Sequence, residues 1–477
     1  MEGNDIDINA LIKRYELMRY EGKSIYFDPD DFAVLADYYN DFGDISEAKY
    51  IVKIGLDMHP GSTQLMVVKA KILVAYEKYQ DAYDYLVIIG EDESSVDYLQ
   101  VKIECLLYLD KVDEANAIVD KTVTTGDLDE IELYMFLSEV GYLYNDVDIY
   151  DKAVSLQEEA LKIDNSDVEL LADLSYGYEM LSDFKKAAEI NNLILDINPY
   201  SFDSWVNLGK LHSMLQEYDK AIEAFDFALT INEDEVSVMK MKALTLYLND
   251  NVEAAVDIFR ECLKNSPDDE SLYDSLLEGY EVMEQYAEML KVIALKEEKF
   301  GNKGVLLKRA HVYLTQERYE EAEKVFKELP ASDKNNYDYY VLEGELAIYN
   351  EDYDTAEMAY MLAMIDSPDD ELVIDKLANI SIQQDKYEKS AEHLEHLLLL
   401  NPDYPTAKAR LAFLRFEIGA KEPFDEIMSQ FTDDELRALL SLLSSYDIDY
   451  SEYNRKQLLT RLNEARENRV LFKNIKY

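Results

Sequence analysis

Residues 201–234, SFDSWVNLGKLHSMLQEYDKAIEAFDFALTINED, hold two small residues, Gly209 and Ala221, twelve positions apart (221 − 209 = 12). Each stands inside an apolar stretch of helical character, and the polar run QEYDK separates the two stretches. Two helices approach closely only where neither side chain protrudes, so the pair marks the crossing of a helical hairpin. Trp205, four positions before Gly209, and His212, three after it, lie on the same face as the small residue.

The pattern repeats outward from this stretch. Ala153, Ala187, Ala221 and Ala255 follow one another at a spacing of 34 (187 − 153 = 221 − 187 = 255 − 221), and Ala48, Ala82, Ala115, Ala322 and Ala356 continue the column. The earlier small column runs through Ala36, Ala70, Gly141, Ser175, Gly209, Ala243, Ala310, Gly344 and Ala378. Bulky residues such as Phe32, Met66, Leu137, Leu171, Trp205 and Met239 stand four positions ahead of it. Pro60, Pro199, Pro267, Pro368 and Pro402 fall where a second helix must stop. A fixed period over a long chain is the mark of a repeat array.

Trp205, Leu208, Gly209, Ala221, Phe225 and Ala228 resemble the tetratricopeptide repeat pattern, whose period is also 34. That resemblance implies an all-α fold: a right-handed superhelical solenoid of about 11–12 tetratricopeptide-type hairpins with helical caps. Repeats are expected to start near 29, 63, 96, 134, 168, 202, 236, 270, 303, 337, 371 and 405, so that the solenoid occupies 29–438. An N-terminal capping helix lies in 1–28, and a C-terminal capping helix with a basic tail in 439–477. Gln157 and Asn191 stand where the family prefers Phe. Two irregularities interrupt the frame: a four-residue insertion at a turn in KTVTTGDLDE (121–130), and Leu277 with Met289 where small residues belong, ahead of GNKG (301–304).

The chain has 477 residues, with 100 acidic side chains against 47 basic ones and a formal net charge of -53. Such a body repels nucleic acid and attracts basic partners; the same charge also serves solubility. Cys105 and Cys262 are the only cysteines, which excludes a disulfide framework and fits a reducing compartment. Met1–Asn9 is acidic and unlike a secretory leader, and no apolar run is long enough to span a bilayer; a cytoplasmic location is expected.

Phosphate-binding Gly loops, nucleophile elbows and zinc spacings do not occur, so no enzyme activity and no cofactor are expected. His393 and His396 form the one histidine pair and read as surface residues. By the resemblance, first-helix residues flanking the small column line a concave groove. Here these are Asp37, Asp41, Glu104, Tyr108, Tyr142, Asp146, Tyr176, Glu179, Tyr247, Glu278, Glu281, Glu345 and Tyr349. Tyrosines beside carboxylates suit a segment carrying Lys or Arg next to apolar residues. The expected function is therefore a non-enzymatic protein–protein interaction scaffold for a basic peptide or protein segment. The alternative is an acidic regulator that competes with nucleic acid for a basic DNA- or RNA-binding protein. The stretch Arg455–Tyr477, with seven basic residues against two acidic ones, opens a route to self-association.

Overall fold

The structure, a computed structural model, describes residues 8–90, 95–301, 304–404, 407–418, 428–443 and 449–467. Its 26 helices resolve into a leading helix, eleven hairpins and three trailing helices among the described residues. The chain divides into two compact units, Met1–Ile258 and Phe259–Tyr477, and the division falls inside helix α15.

In the first unit α1 (Ile8–Glu21) precedes the hairpins α2/α3 (Pro29–Asp41, Ile45–Met58), α4/α5 (Thr63–Val74, Tyr79–Ile89) and α6/α7 (Val96–Tyr108, Val112–Thr125). The hairpins α8/α9 (Glu130–Asp146, Tyr150–Leu161), α10/α11 (Phe184–Ile197 following Val168–Met180) and α12/α13 (Phe202–Met214, Tyr218–Ile231) come next. Helix α14 (Val236–Leu248) then leads into α15 (Val252–Asn265). The second unit holds α16/α17 (Glu270–Val282, Tyr286–Phe300), α18/α19 (Val305–Thr315, Tyr319–Lys327), α20/α21 (Tyr337–Tyr349, Tyr353–Asp366) and α22/α23 (Glu371–Gln383, Tyr387–Leu400). It ends with α24 (Ala407–Glu417), α25 (Asp433–Leu443) and α26 (Arg455–Glu467). Helix α25 crosses position 438, where the sequence reading ends the repeats.

The small columns sit where the hairpins cross. Ala36, Ala48, Ala70, Ala82, Ala153, Ala187, Ala221, Ala243, Ala310, Ala322, Ala356 and Ala378 are all fully buried. A Cβ on Gly209 would stand 2.4 Å from the Phe225 ring, and one on Gly344 would stand 2.6 Å from the Tyr360 ring. At two hairpins the bulky column also bonds back to the segment that precedes it. Trp205 donates its indole N–H to the Pro199 carbonyl at 3.0 Å, and Tyr273 donates its hydroxyl to the Pro267 carbonyl at 3.1 Å, six residues back in both cases.

Every hairpin turn is built alike. One residue in the left-handed region closes each first helix: Gly43, Glu77, Asp110, Asp148, Ser182, Gln216, Asp250, Glu284, Glu317, Glu351 and Asp385. The next N–H then reaches back to a carbonyl near the helix end, as Glu217 does to His212 at 2.8 Å and Lys111 to Leu106 at 2.8 Å. This wrap satisfies carbonyls that the helix end leaves open. Part of the acidic excess has a structural use as well. The carboxylates of Asp28, Asp44, Asp129, Asp167, Asp183, Asp269, Asp352 and Asp370 accept from backbone N–H groups at helix starts.

The insertion in 121–130 takes a different form from a longer turn. Helix α8 has 17 residues against 13 in α10, so the four extra residues (17 − 13 = 4) add one helical turn, fixed by a reciprocal Asp129–Glu132 capping box. Beside Leu277 a cavity of about 250 Å³ opens, lined also by Asp274, Glu278, Ile293, Lys296, Gly304, Val305 and Lys308. Residues 302–303 of GNKG lie outside the described residues. Helix α19 is only nine residues long, and the segment after it returns Asp333 to accept the Gly304 N–H at 2.8 Å.

Both ends are covered by helices. Leu11 and Tyr15 of α1 are buried on the first hairpin, where Tyr15 and Arg19 both bond Glu47. At the other end Leu436, Leu439 and Leu440 of α25 and Leu458 and Leu462 of α26 share a core with Leu411 and Leu414 of α24. Among the described residues no helix is long and apolar enough to cross a membrane.

Candidate binding surface

In the first unit the first helices α6, α8 and α10 lie side by side, because each hairpin stacks on the last with its first helix next to its predecessor's. Buried Leu106, Tyr144 and Tyr178 hold the inner face, which turns Glu104, Tyr108, Tyr142, Asp146, Asp173 and Tyr176 outward or to the rim. Tyr108, Tyr142 and Tyr176 are 39%, 47% and 47% exposed.

The carboxylates on this face crowd one another. Burial, with Glu139 and Asp146 nearby, pushes Glu104 up to about 7, and Lys71 only partly offsets them. Burial and the charges of Glu169, Glu139 and Asp167 push Asp173 up to about 6. Tyr108 donates its hydroxyl to Asp146, and Asp146 also raises the Tyr142 phenol. Carboxylates that resist ionisation near neutral pH gain when a cation is brought to them.

Two of these tyrosines, Tyr108 and Tyr176, are braced from the second helices. Tyr79 stacks on Tyr108 with ring centroids 4.3 Å apart and planes at 5°, and Tyr150 meets Tyr176 edge-on at 6.1 Å. Neither Tyr79 nor Tyr150 was among the residues the sequence pointed to. Both are the first residue of a second helix, a column that also holds Phe184, Tyr218, Tyr286, Tyr319, Tyr353 and Tyr387. Aromatic recurrence in that column was the available signal. Asn145, 5% exposed, donates to the Asp173 carbonyl at 3.1 Å and leaves its Oδ1 without a hydrogen-bond partner among the described residues.

The other expected positions do not join this cluster. Asp37 is half-buried on α2, Glu179 half-buried on α10 and Tyr247 half-buried on α14, while the side chain of Asp41 lies outside the described residues. In the second unit two of the three expected carboxylates already have cations. Glu281 pairs with Lys308 at 2.6 Å and lies 4.0 Å from His311; Glu345 pairs with Lys376 at 2.8 Å and accepts from Tyr360 at 2.6 Å. Glu278 lines the cavity beside Leu277. Tyr349 stacks on Tyr319 at 4.1 Å and 9°, a copy of the Tyr79–Tyr108 pair.

Among the described residues, the histidines and the basic end add no second site. Burial lowers the His393 imidazole, and His396 stands 3.8 Å from Asp369. Among the described residues no group of His, Cys, Asp and Glu side chains is arranged to hold a metal ion. Arg455 bonds Asp433 at 2.8 Å and the Ser429 carbonyl at 2.9 Å, and Arg461 bonds Glu464 at 2.9 Å. The side chain of Arg466 and all of residues 468–477, with Arg469, Lys473 and Lys476, lie outside the described residues. Cys105 and Cys262 are both buried, and burial pushes the Cys105 thiol up to about 12.

Comparison with known proteins gives two family matches, both described as tetratricopeptide repeat, over residues 202–235 and 307–371. No curated protein sequence matches the chain. Among solved structures it is similar to MamA, at 21% identity over 35% of this chain and 92% of that one, with a TM-score of 0.34. It is similar to a tetratricopeptide repeat protein from Parabacteroides merdae, at 20% identity over 59% and 97%, TM-score 0.35. It is also similar to a chain in the APC/C hetero-tetramer Cut9–Hcn1, at 14% identity over 85% and 92%, TM-score 0.38.

Proposed function

We propose, from the tetratricopeptide repeats matched at 202–235 and 307–371, that the chain is a protein–protein interaction scaffold that holds a basic, partly apolar segment of a partner on the α6–α8–α10 face. The observation that carries this reading is the pairing of exposed tyrosines, two of them braced, with carboxylates that lack enough cations of their own. Tyr108, Tyr142 and Tyr176 offer rigid apolar surface that loses little entropy on binding. Glu104, Asp146 and Asp173 supply acceptors for Lys or Arg, and a bound cation relieves their mutual repulsion.

The two units differ in what they offer. Glu281 and Glu345 are neutralised by Lys308 and Lys376, so the second unit provides less unpaired acid for an incoming base. Titration of the full chain with a labelled peptide of alternating Lys and Leu tests the assignment. The affinity should fall about tenfold on Tyr142→Ala combined with Tyr176→Ala, equivalent to roughly 1.4 kcal/mol. Unchanged affinity in that variant, with the helical signal intact, rules the face out. Binding that instead tracks carboxylates scattered over the second helices would favour an acidic surface competing with nucleic acid.

A further inference from the structure

A second surface of the first unit has the opposite character. Lys49, Val52, Lys53 and Leu56 fall at i, i+3, i+4 and i+7 on α3, and Lys69, Ile72 and Leu73 at i, i+3 and i+4 on α4. These two stripes enclose a cavity of about 400 Å³, with Asp57 the single acidic residue on its lining. Val52 and Ile72 form a buried apolar floor, each 2% exposed. The lysines rise from both walls.

Among the described residues only part of the lysine set is paired with acids, and these three belong to the part that is not, as do Lys102, Lys111 and Lys210. Lys71, Lys152, Lys242, Lys296, Lys308 and Lys376 all reach a carboxylate within 3.2 Å, as expected where acids outnumber bases two to one. Among the described residues none of Lys49, Lys53 and Lys69 makes an ion pair. Lys49 lies 3.4 Å over the Tyr76 ring and Lys69 4.1 Å over the Tyr85 ring, so two of the ammonium groups are held in place by aromatic faces rather than by acids.

We propose that the α3–α4 cavity is a docking site for a short acidic peptide segment of a partner protein, in which carboxylate residues flank one or two bulky apolar side chains. The charge on the lining, three lysines against Asp57, selects an anion, and the floor of Val52, Leu56, Ile72 and Leu73 selects apolar groups. From Lys49 to Leu56 the helix advances about 10 Å, the reach of about three extended residues. At physiological salt the screening length is about 8 Å, so a ligand seated here feels these lysines above the distant carboxylates of the chain. The net negative field disfavours acidic ligands over most of the chain, which gives a locally basic cavity its selectivity.

The test uses the full chain and a fluorescein-labelled peptide, Glu-Glu-Leu-Phe-Glu-Glu, followed by anisotropy. Saturable binding is expected, weakened about tenfold by Lys53→Glu combined with Lys69→Glu and left unchanged by Lys162→Glu, a lysine outside the cavity. Bound peptide should also protect Lys49, Lys53 and Lys69 from amine acetylation read by mass spectrometry. Absence of saturable binding, equal affinity for the double variant, or unaltered acetylation of the three lysines overturns the proposal. So does binding of dodecanoate at this cavity with none of the peptide, which would assign it to a single-chain amphiphile. The Lys–Leu peptide read against the same double variant separates this site from the α6–α8–α10 face, because failure at one leaves the other's signal intact.

Discussion

The ring of Phe225 occupies the space that a side chain on Gly209 would need, with Cε1 only 2.4 Å from the position of a Cβ. Phe225 is 1% exposed, so its ring is enclosed by the core. Gly209→Ala therefore sets two effects against each other. Helix propensity alone favours Ala by about 1 kcal/mol, whereas overpacking a closed crossing costs about 1–3 kcal/mol. Net destabilisation is expected, seen as a lower urea midpoint. A higher midpoint would show that the crossing is looser than the geometry indicates.

Gln157 holds the corresponding place opposite Gly141 in the α8/α9 hairpin, fully buried and with neither amide atom hydrogen-bonded. Phe225 and Tyr360 show that the same place in other hairpins accepts an aromatic ring. Gln157→Phe should stabilise the chain by about 1–3 kcal/mol through removal of an unsatisfied buried amide. Thermal unfolding of the two proteins side by side checks the sign; a lower melting temperature would contradict it.

Gln216 closes α12 with a φ of 58°, in the region that non-glycine residues avoid. Replacing it with Gly removes local strain while enlarging the unfolded ensemble, so the net gain should be at most about 1 kcal/mol. Gln216→Val, by contrast, places a branched Cβ in that conformation and should cost more than about 1 kcal/mol. Equal stability of the Gly and Val variants by chemical denaturation would refute the left-handed turn.

These three sites differ in how far the sequence exposed them. Gly209 and Ala221 were legible as a crossing because small residues recur with the period of the repeat. The turn residues were hidden, since Glu77, Asp110, Ser182 and Gln216 share a backbone conformation and no side-chain chemistry. The added turn of α8 looked like loop because Thr124, Thr125 and Gly126 precede a capping box that only geometry reveals. On the α6–α8–α10 face, Tyr108, Tyr142 and Asp146 were expected from the family resemblance. Their split from Glu281 and Glu345 did not, because Lys308 and Lys376 come from the next hairpin, and pairing between hairpins leaves no local mark.

Glu104 gives the face a pH signature. Its folded pKa of about 7 lies above the unfolded range near 4.5, so its contribution to stability is full below the unfolded value and is lost as pH rises through about 7. Glu104→Gln should thus stabilise the chain by about 1 kcal/mol at about pH 8 and by little near pH 4, after allowance for solvent screening. A bound basic segment favours the ionised form, so affinity for the Lys–Leu peptide should rise between about pH 5 and pH 8. A flat profile in wild type, or one unchanged in Glu104→Gln, would separate Glu104 from binding.

Photo-crosslinking maps the site most directly. The Lys–Leu peptide carrying a benzophenone side chain, irradiated with the full chain and digested for mass spectrometry, should label α6, α8 and α10 within 96–180, at or beside Tyr108, Tyr142 and Tyr176. Labelling confined to second helices or to residues beyond 258, or labelling that excess unlabelled peptide fails to suppress, would contradict a basic-segment site on that face.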